Sequence, residues 1–312
     1  MKRTYKLYIR YFTFSVIGLL VVAEILLRQM WGFTHAPLYQ ESPLYEYIVK
    51  PSQDGYRFGR HYHYNSYSQR SEEPDSSKLI ILGLGDSVIF GAGVIDQDSI
   101  ATSLFTANTG IQMLNISCGS WGPDNCAAYL RAHGLFGAKA LYLLVSSHDA
   151  YDNMDFQKVV GVHETYPDRQ YRLAIAELYM RYIYPRYLKK LVVADSNTAP
   201  LDPDRKVLQN VGIRKKGDRF NPGFGQLKAI ADSARIPLVV CLHPELGELQ
   251  QGCYNEQGNE IIKWCDNHHI RLIQELHEGI KAEMYRDNIH LNEKGHRHQY
   301  MLMAKHLKPQ LY

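Results

Sequence analysis

The sequence predicts an α/β fold, a doubly wound parallel sheet with helices on both faces, preceded by one N-terminal transmembrane helix. Three observations carry this. Short continuous apolar runs recur between Leu79 and Ile273, as buried parallel strands require. Helix-like stretches alternate with them, the pattern of an α/β domain. A basic cluster followed by an apolar stretch opens the chain. Composition agrees: 45% of 312 residues are hydrophobic, with 23 Tyr and 10 Phe, enough for a sizeable core. The net charge of +3 is far below that of a dedicated nucleic-acid binder, so no nucleic-acid partner is expected.

Lys2, Arg3, Lys6 and Arg10 precede the apolar stretch Tyr11 to Leu27, which Arg28 closes. At ~1.5 Å per residue this stretch rises about 25 Å, just short of a hydrocarbon core. Glu24 lies a turn from its far end, where a carboxylate can reach the interface. The basic cluster predicts a single-pass membrane protein with a cytoplasmic N-terminus and an extracytoplasmic domain, in the periplasm or at the cell surface. A signal peptide cleaved at Ala23 is the rival reading. Ile25, Leu26 and Leu27 continue the apolar run with no small-x-small pair before it, which favours an uncleaved anchor over residues 1–28. A buried helix of a soluble domain is the third reading.

Residues 29–77 read as an irregular, aromatic-rich connecting segment packed on the domain. Within it, His61 and His63 read as surface or loop residues. The domain proper spans 78–312. Its strands are expected at Leu79 to Leu84, Ile111 to Ile116, Ala140 to Val145, Pro237 to Leu242 and Ile270 to Ile273. Helices are expected around Ser99 to Asn108, Asp124 to Leu135, Tyr171 to Val193, Pro222 to Ala234, Glu256 to Asn267 and Asn292 to Leu307. An insertion at about 155–221 interrupts the rhythm and interleaves Arg169, Tyr171, Arg172, Tyr179, Arg181, Tyr182, Tyr184, Arg186, Tyr187, Lys189 and Lys190. Such a helix either covers the sheet or faces lipid, a partner or sugar.

In doubly wound sheets the active site lies beyond the carboxyl ends of the strands. There the segment Leu82-Gly83-Leu84-Gly85-Asp86-Ser87-Val88-Ile89-Phe90-Gly91-Ala92-Gly93 sets a serine in a Gly-rich turn. A serine hydroxyl becomes a useful nucleophile when a base is near and donors await the oxyanion, and a turn at a helix N-terminus supplies backbone N–H groups. The plain alternative is a turn that caps the next helix. A phosphate loop lacks its Gly-Lys-Ser/Thr ending. Near the other end, Asp287-Asn288-Ile289-His290 carries an Asp three residues before a His. That carboxylate can accept the Nδ1–H, fix the tautomer and leave Nε2 as general base.

Gly-Asp-Ser after the first strand and Asp-x-x-His before the last helix together resemble the SGNH (GDSL-type) hydrolase family over about residues 78 to 308. The resemblance implies a flavodoxin-like three-layer sandwich, esterase, lipase or acyl-transfer chemistry, and no cofactor. It implies Ser87 as nucleophile, His290 as base and Asp287 as the residue orienting it. Two further family blocks depart from pattern. The second block is normally Asn-x-x-x-x-Gly, whose Gly amide faces the oxyanion; Asn115-Ile116-Ser117-Cys118-Gly119-Ser120 puts Ser120 there, with Gly119 just before. The third is normally Gly-x-Asn-Asp, and Ser146-Ser147-His148-Asp149 puts His148 at the donor position. The resemblance thus implies an oxyanion hole of Ser87, Ser120 and His148 with Gly119 adjacent.

The layout looks most like membrane-anchored members of cell-envelope polysaccharide systems. It shares an anchor ending in Glu24-Ile25-Leu26-Leu27-Arg28, a tract like Tyr64-Asn65-Ser66 and the run Asn115 to Asn125. This implies ester-linked acyl groups, acetyl above all, on a small molecule or carbohydrate, and a membrane acyltransferase as partner. The alternative is a weak or inactive SGNH scaffold binding glycan in a polysaccharide assembly complex.

The five cysteines, 118, 126, 241, 253 and 265, match no paired metal-ligand spacing, and the odd count leaves at least one free thiol. In an oxidising compartment Cys118 and Cys126 are close enough in sequence to bridge, as are the other three among themselves. His268, His269, His296 and His298 have no HExxH-like spacing, so no metal is expected. His243-Pro244-Glu245 reads as the rim of the pocket, without assigned chemistry.

Overall fold

A computed structural model describes residues 2–91, 94–188, 213, 215 and 217–307. Ala92, Gly93, Lys189, Lys190, Val193 and the middle of the insertion lie outside the described residues, as do the side chains of Lys2, Arg3 and Arg186. Helix α1 runs over Lys2–Trp31. Its segment Tyr5–Trp31 is long and apolar enough to cross a membrane, and it exposes Phe12, Phe14, Leu19 and Leu20 along its sides. It is a candidate anchor or signal segment.

The connecting segment is more regular than its sequence suggests. It folds into two antiparallel hairpins, β1 (Tyr39–Ser42) with β2 (Glu46–Val49) and β3 (Gln53–Arg57) with β4 (Arg60–Tyr64). These strands have four or five residues; β2 is buried on both faces and shows no two-residue period, and the alternation of β4, with Tyr62 and Tyr64 buried and His61 and His63 less so, spans only two repeats. Tyr47, Ile48 and Val49 join the same apolar cluster as Trp121, whose indole N–H donates to the Tyr47 carbonyl at 2.8 Å.

Five parallel strands form the central sheet: β5 (Ile80–Gly85), β6 (Gln112–Ser117), β7 (Ala140–Ser146), β8 (Leu238–His243) and β9 (Arg271–Gln274). Their spatial order is β6-β5-β7-β8-β9, the flavodoxin-like order, which reverses direction at β5. The strands β5 to β8 are buried at every residue, as their continuous apolar runs require.

Helices cover both faces, making a three-layer sandwich. On one face Ile81 packs in a cluster with Phe105 of α3 (Ala101–Thr109) and Met303 and Leu307 of α9 (Glu293–Leu307). On the other, Leu82 and Leu84 cluster with Ala127 and Leu130 of α4 (Pro123–His133), Leu227 of α6 (Gly223–Ala234) and Ile261 of α8 (Glu256–Asn267). Each such fully buried aliphatic side chain contributes about 1.5–3 kcal/mol. The short α2 (Ser87–Phe90) follows β5, and α7 (Leu246–Gln251) follows β8. A six-residue helix is too short to carry a periodic signature, and α7 was not expected.

In the insertion, α5 (Ala174–Glu177) continues as a π-helical stretch over Leu178–Leu188. It does not cover the sheet. It packs against α1 and the β3–β4 hairpin, with Arg57 paired to the buried Glu177 at 2.6 Å and the Tyr182 ring against Phe33 and Phe58.

Candidate active site

The first strand of the sheet ends at Gly85, where a Cβ would stand 2.5 Å from the Leu144 carbonyl oxygen, so only glycine lets β5 pass β7 this closely. Asp86 then caps α2, its Oδ1 accepting the Val88 amide at 2.8 Å. Ser87 opens the helix, so no preceding turn takes up its amide. Gly91, at φ 69°, closes α2. The buried Arg70 guanidinium holds this end, donating to the Phe90 carbonyl at 2.6 Å and the Ile95 carbonyl at 2.7 Å. Asn115 Nδ2 donates to the Ile89 carbonyl at 3.0 Å. Two carbonyls of α2 and one of the loop beyond it therefore have fixed donors, and the serine sits on a pinned element.

Ser87 Oγ lies 2.9 Å from His290 Nε2, and His290 Nδ1 lies 2.9 Å from Asp287 Oδ2. Asp287 Oδ1 also accepts the amides of Ile289 at 3.1 Å and His290 at 2.8 Å. Burial would raise the Asp287 carboxyl, but the bond to His290, its charge and those amides win and hold it well below the usual carboxylate range. The serine is only partly buried and so open to a reactant.

Behind this loop stands a buried pair that sequence reasoning missed. His243 donates from Nε2 to the Ile289 carbonyl at 2.9 Å and from Nδ1 to Glu275 at 2.6 Å, and Glu275 also accepts from Gln299 at 2.6 Å. Burial disfavours the His243 cation, yet Glu275 and the Ile289 carbonyl lift its pKa above the ordinary value. His243 therefore does not rim the pocket. It is an internal support for the residue next to His290.

Ser120 takes a left-handed conformation at φ 58°, which a glycine would adopt without strain. Its Oγ lies 3.2 Å from the Tyr166 hydroxyl oxygen, and the Gly119 carbonyl accepts from Tyr47 and Tyr166, each at 3.1 Å. The Ser120 amide meets no acceptor among the described residues.

His148 follows β7 in the turn Ser147–Ala150, beside the point where the sheet reverses. Its Nδ1 lies 3.1 Å from Glu245, and its Nε2 lies 3.9 Å from both Asp86 Oδ2 and Asp152 Oδ2. Burial would lower the imidazole pKa, but Asp149, Glu245, Asp86 and Asp152 around it raise it to about 10. His148 is thus an imidazolium, and it meets Ser87 through Asp86, whose Oδ2 is 3.3 Å from Ser87 Oγ. The buried Asp149 is anchored by the Ser146 amide at 2.7 Å, and burial above all raises its carboxyl pKa. Asp86 in the serine motif, Asp149 in the third block and Glu245 after the fourth strand are marked in the sequence; Asp152 is not.

Among the described residues, Asp86, His148 and Asp149 form the one group whose potential metal-ligating atoms lie within 4.8 Å of one another. The His148 imidazolium already supplies positive charge there. His296 is buried, accepts the Ala101 amide at 3.3 Å, and has its pKa pushed down to about 3 by burial and by the Arg70, His243 and His290 charges. His268 and His269 are exposed at and just past the C-terminal end of α8. All five cysteines are free, and Cys118, Cys126, Cys241 and Cys265 are buried, so the bridges that their spacing allowed are not formed.

No protein-family model and no curated relative matches the sequence. Solved structures with partial likeness include a G-D-S-L family protein from Desulfitobacterium hafniense DCB-2, at 11% identity over 73% of this chain and 99% of that one, with a TM-score of 0.41. TesA matches at 14% identity over 74% of this chain and 99% of its own, TM-score 0.42. The salicylyl-acyltransferase SsfX3 of a tetracycline biosynthetic pathway matches at 13% identity over 77% of this chain and 58% of its own, TM-score 0.38. Likeness at this level says nothing of chemistry, which rests on the site's own geometry.

Proposed function

We propose that the chain is an SGNH-type serine hydrolase or acyl-transfer enzyme acting on ester-linked acyl groups. The observation that carries this is the continuous series from Ser87 Oγ through the His290 ring to Asp287, at 2.9 Å on each side of the imidazole. Ser87 Oγ attacks the acyl carbonyl carbon while its proton passes to His290 Nε2. The amides of Ser87 and Ser120 receive the oxyanion, with His148 as the cationic group beside them. Collapse breaks the ester C–O bond, and His290 returns the proton to the leaving alcohol. Water or a sugar hydroxyl then gives its proton to His290 and attacks the acyl-enzyme, and Ser87 recovers its proton as the acyl group departs.

The substrate we favour is an acetyl ester on envelope carbohydrate, and α1 serves as an N-in anchor holding the domain outside the cytoplasm, alongside a membrane acyltransferase. These points rest on the resemblance and on the basic cluster in the first turns of α1. A second reading, a non-catalytic glycan-binding scaffold, is favoured by one observation: both ring nitrogens of His148 face carboxylates. Acetate release from 4-nitrophenyl acetate and acetylated xylan separates the two. The enzyme reading expects release by the wild type and none above background by Ser87→Ala; a folded wild type without turnover on any acyl ester supports the scaffold.

A further inference from the structure

We propose that the segment Arg172–Met180 is a membrane-surface contact that seats the domain on phospholipid headgroups beside the end of α1. The proposal rests on reading α1 as a membrane span. Its first observation is the height at which this segment is held. Glu24 accepts the Ala174 amide at 2.7 Å and the Ile175 amide at 3.0 Å, and Arg28, itself paired with Glu24 at 2.6 Å, donates to the Arg172 carbonyl. Glu24 stands seven residues before the end of α1 at Trp31, about 10 Å back along the helix axis. A folded part of the domain therefore reaches back alongside the last apolar turns of the span, at the depth where headgroups begin.

The second observation is what this segment presents. Leu173 is 56% exposed, Met180 50% and Tyr179 43%, and Ile25, Leu26, Met30 and Trp31 of α1, the helix on which Ala174 and Ile175 are held, are exposed as well. Arg172 is exposed at the same place. Apolar and aromatic side chains set among cations suit the interfacial layer, where apolar groups dip inward and guanidinium groups meet phosphate. Water is a poor neighbour for this patch, whereas a bilayer continues the apolar surface of α1.

The third observation is rigidity. Glu177 is buried and accepts from the Thr34 amide at 2.5 Å, Arg57 at 2.6 Å and Arg181 at 3.0 Å. The Trp31 carbonyl accepts the Phe58 amide at 2.9 Å. The helix is thus joined to the domain by folded contacts, which set the height and orientation of the active-site cleft above the bilayer.

Site-directed spin labelling tests this on the full chain at one copy per nanodisc of phosphatidylcholine and phosphatidylglycerol. A label on the exposed native Cys253 gives the aqueous reference. Leu173→Cys, Met180→Cys and Leu20→Cys are labelled separately in a Cys253→Ser background. Collision rates with oxygen and with a water-soluble nickel chelate report depth. The expected oxygen-to-nickel ratio is severalfold higher at Leu173 and Met180 than at Cys253, and higher still at Leu20. A ratio at Leu173 and Met180 equal to that at Cys253, with Leu20 deep, overturns the contact while leaving the anchor intact. A nickel-accessible Leu20 overturns the anchor, and the contact with it.

Discussion

His290 Nε2 lies 2.9 Å from Ser87 Oγ across 203 residues of chain. The loop after β5 and the loop before α9 meet at the carboxyl edge of the sheet, and each is pinned from behind, one by Arg70 and Asn115, the other by His243 and Glu275. Such preorganisation is what makes a serine hydroxyl a nucleophile, because no reorganisation is left for the moment of reaction.

Asp287→Asn removes the acceptor that holds the His290 Nδ1 proton, and turnover of an aryl acetate is expected to fall by about 10⁴. The same substitution has a pH signature in stability. The native Asp287 carboxyl titrates lower than an unfolded one, so its contribution is present above about pH 4 and is lost as pH falls through the native value. The difference in melting temperature between wild type and Asp287→Asn should therefore shrink from pH 7 toward pH 3.

His148→Asn keeps a donor but removes the positive charge beside Asp86, Asp149, Asp152 and Glu245. The imidazole titrates higher in the native state than in the unfolded chain, so its stabilisation is full below about pH 6.5, declines above that and is gone past about pH 10. Melting curves of wild type and His148→Asn should lie furthest apart at pH 6 and converge by pH 10.5. His148→Ala removes the cation beside the oxyanion and should lower aryl acetate turnover by about 10², the lower end of what one lost electrostatic partner of the oxyanion costs.

Ser120→Gly tests which part of Ser120 matters. Glycine removes the strain of the left-handed conformation, worth about 1–2 kcal/mol, and loses one bond to Tyr166, worth about 1 kcal/mol. Urea unfolding should show little net change, and turnover should persist because the amide remains. Ser120→Pro, which lacks that N–H and cannot reach φ 58°, should abolish turnover.

His243→Ala leaves Glu275 as a buried carboxylate without its cation and frees the Ile289 carbonyl. A loss of about 3–5 kcal/mol in urea unfolding is expected. In the fraction that stays folded, displacement of His290 by as little as about 1 Å should cost about 10² in kcat.

The parts of this protein that could be read from sequence are those whose cause is local. The run from Leu79 to Gly85 is apolar because β5 is buried on both faces, and Asp287 stands three residues before His290 because one turn brings carboxylate to imidazole. The rest depends on partners far along the chain. Glu245 reaches His148 from 97 residues away, and nothing local marks His243 as a support for Ile289. The two hairpins of β1 to β4 are hard to read because strands this short show at most two repeats of their period, as in His61-Tyr62-His63-Tyr64. The helix from Ala174 stays open in the sequence between a sheet cover and a lipid or partner face, because its pattern does not say which surface it meets, and that surface is α1.

Reaction with a fluorophosphonate, read by intact mass and peptide mapping, tests the central claim most directly. The triad reading predicts one adduct per chain, mapped to Ser87, absent in Ser87→Ala and strongly slowed in His290→Ala, because an unassisted hydroxyl stays protonated near neutral pH. A folded wild type that takes no adduct while a control serine esterase in the same tube is fully modified, or an adduct mapped to another residue, would contradict it.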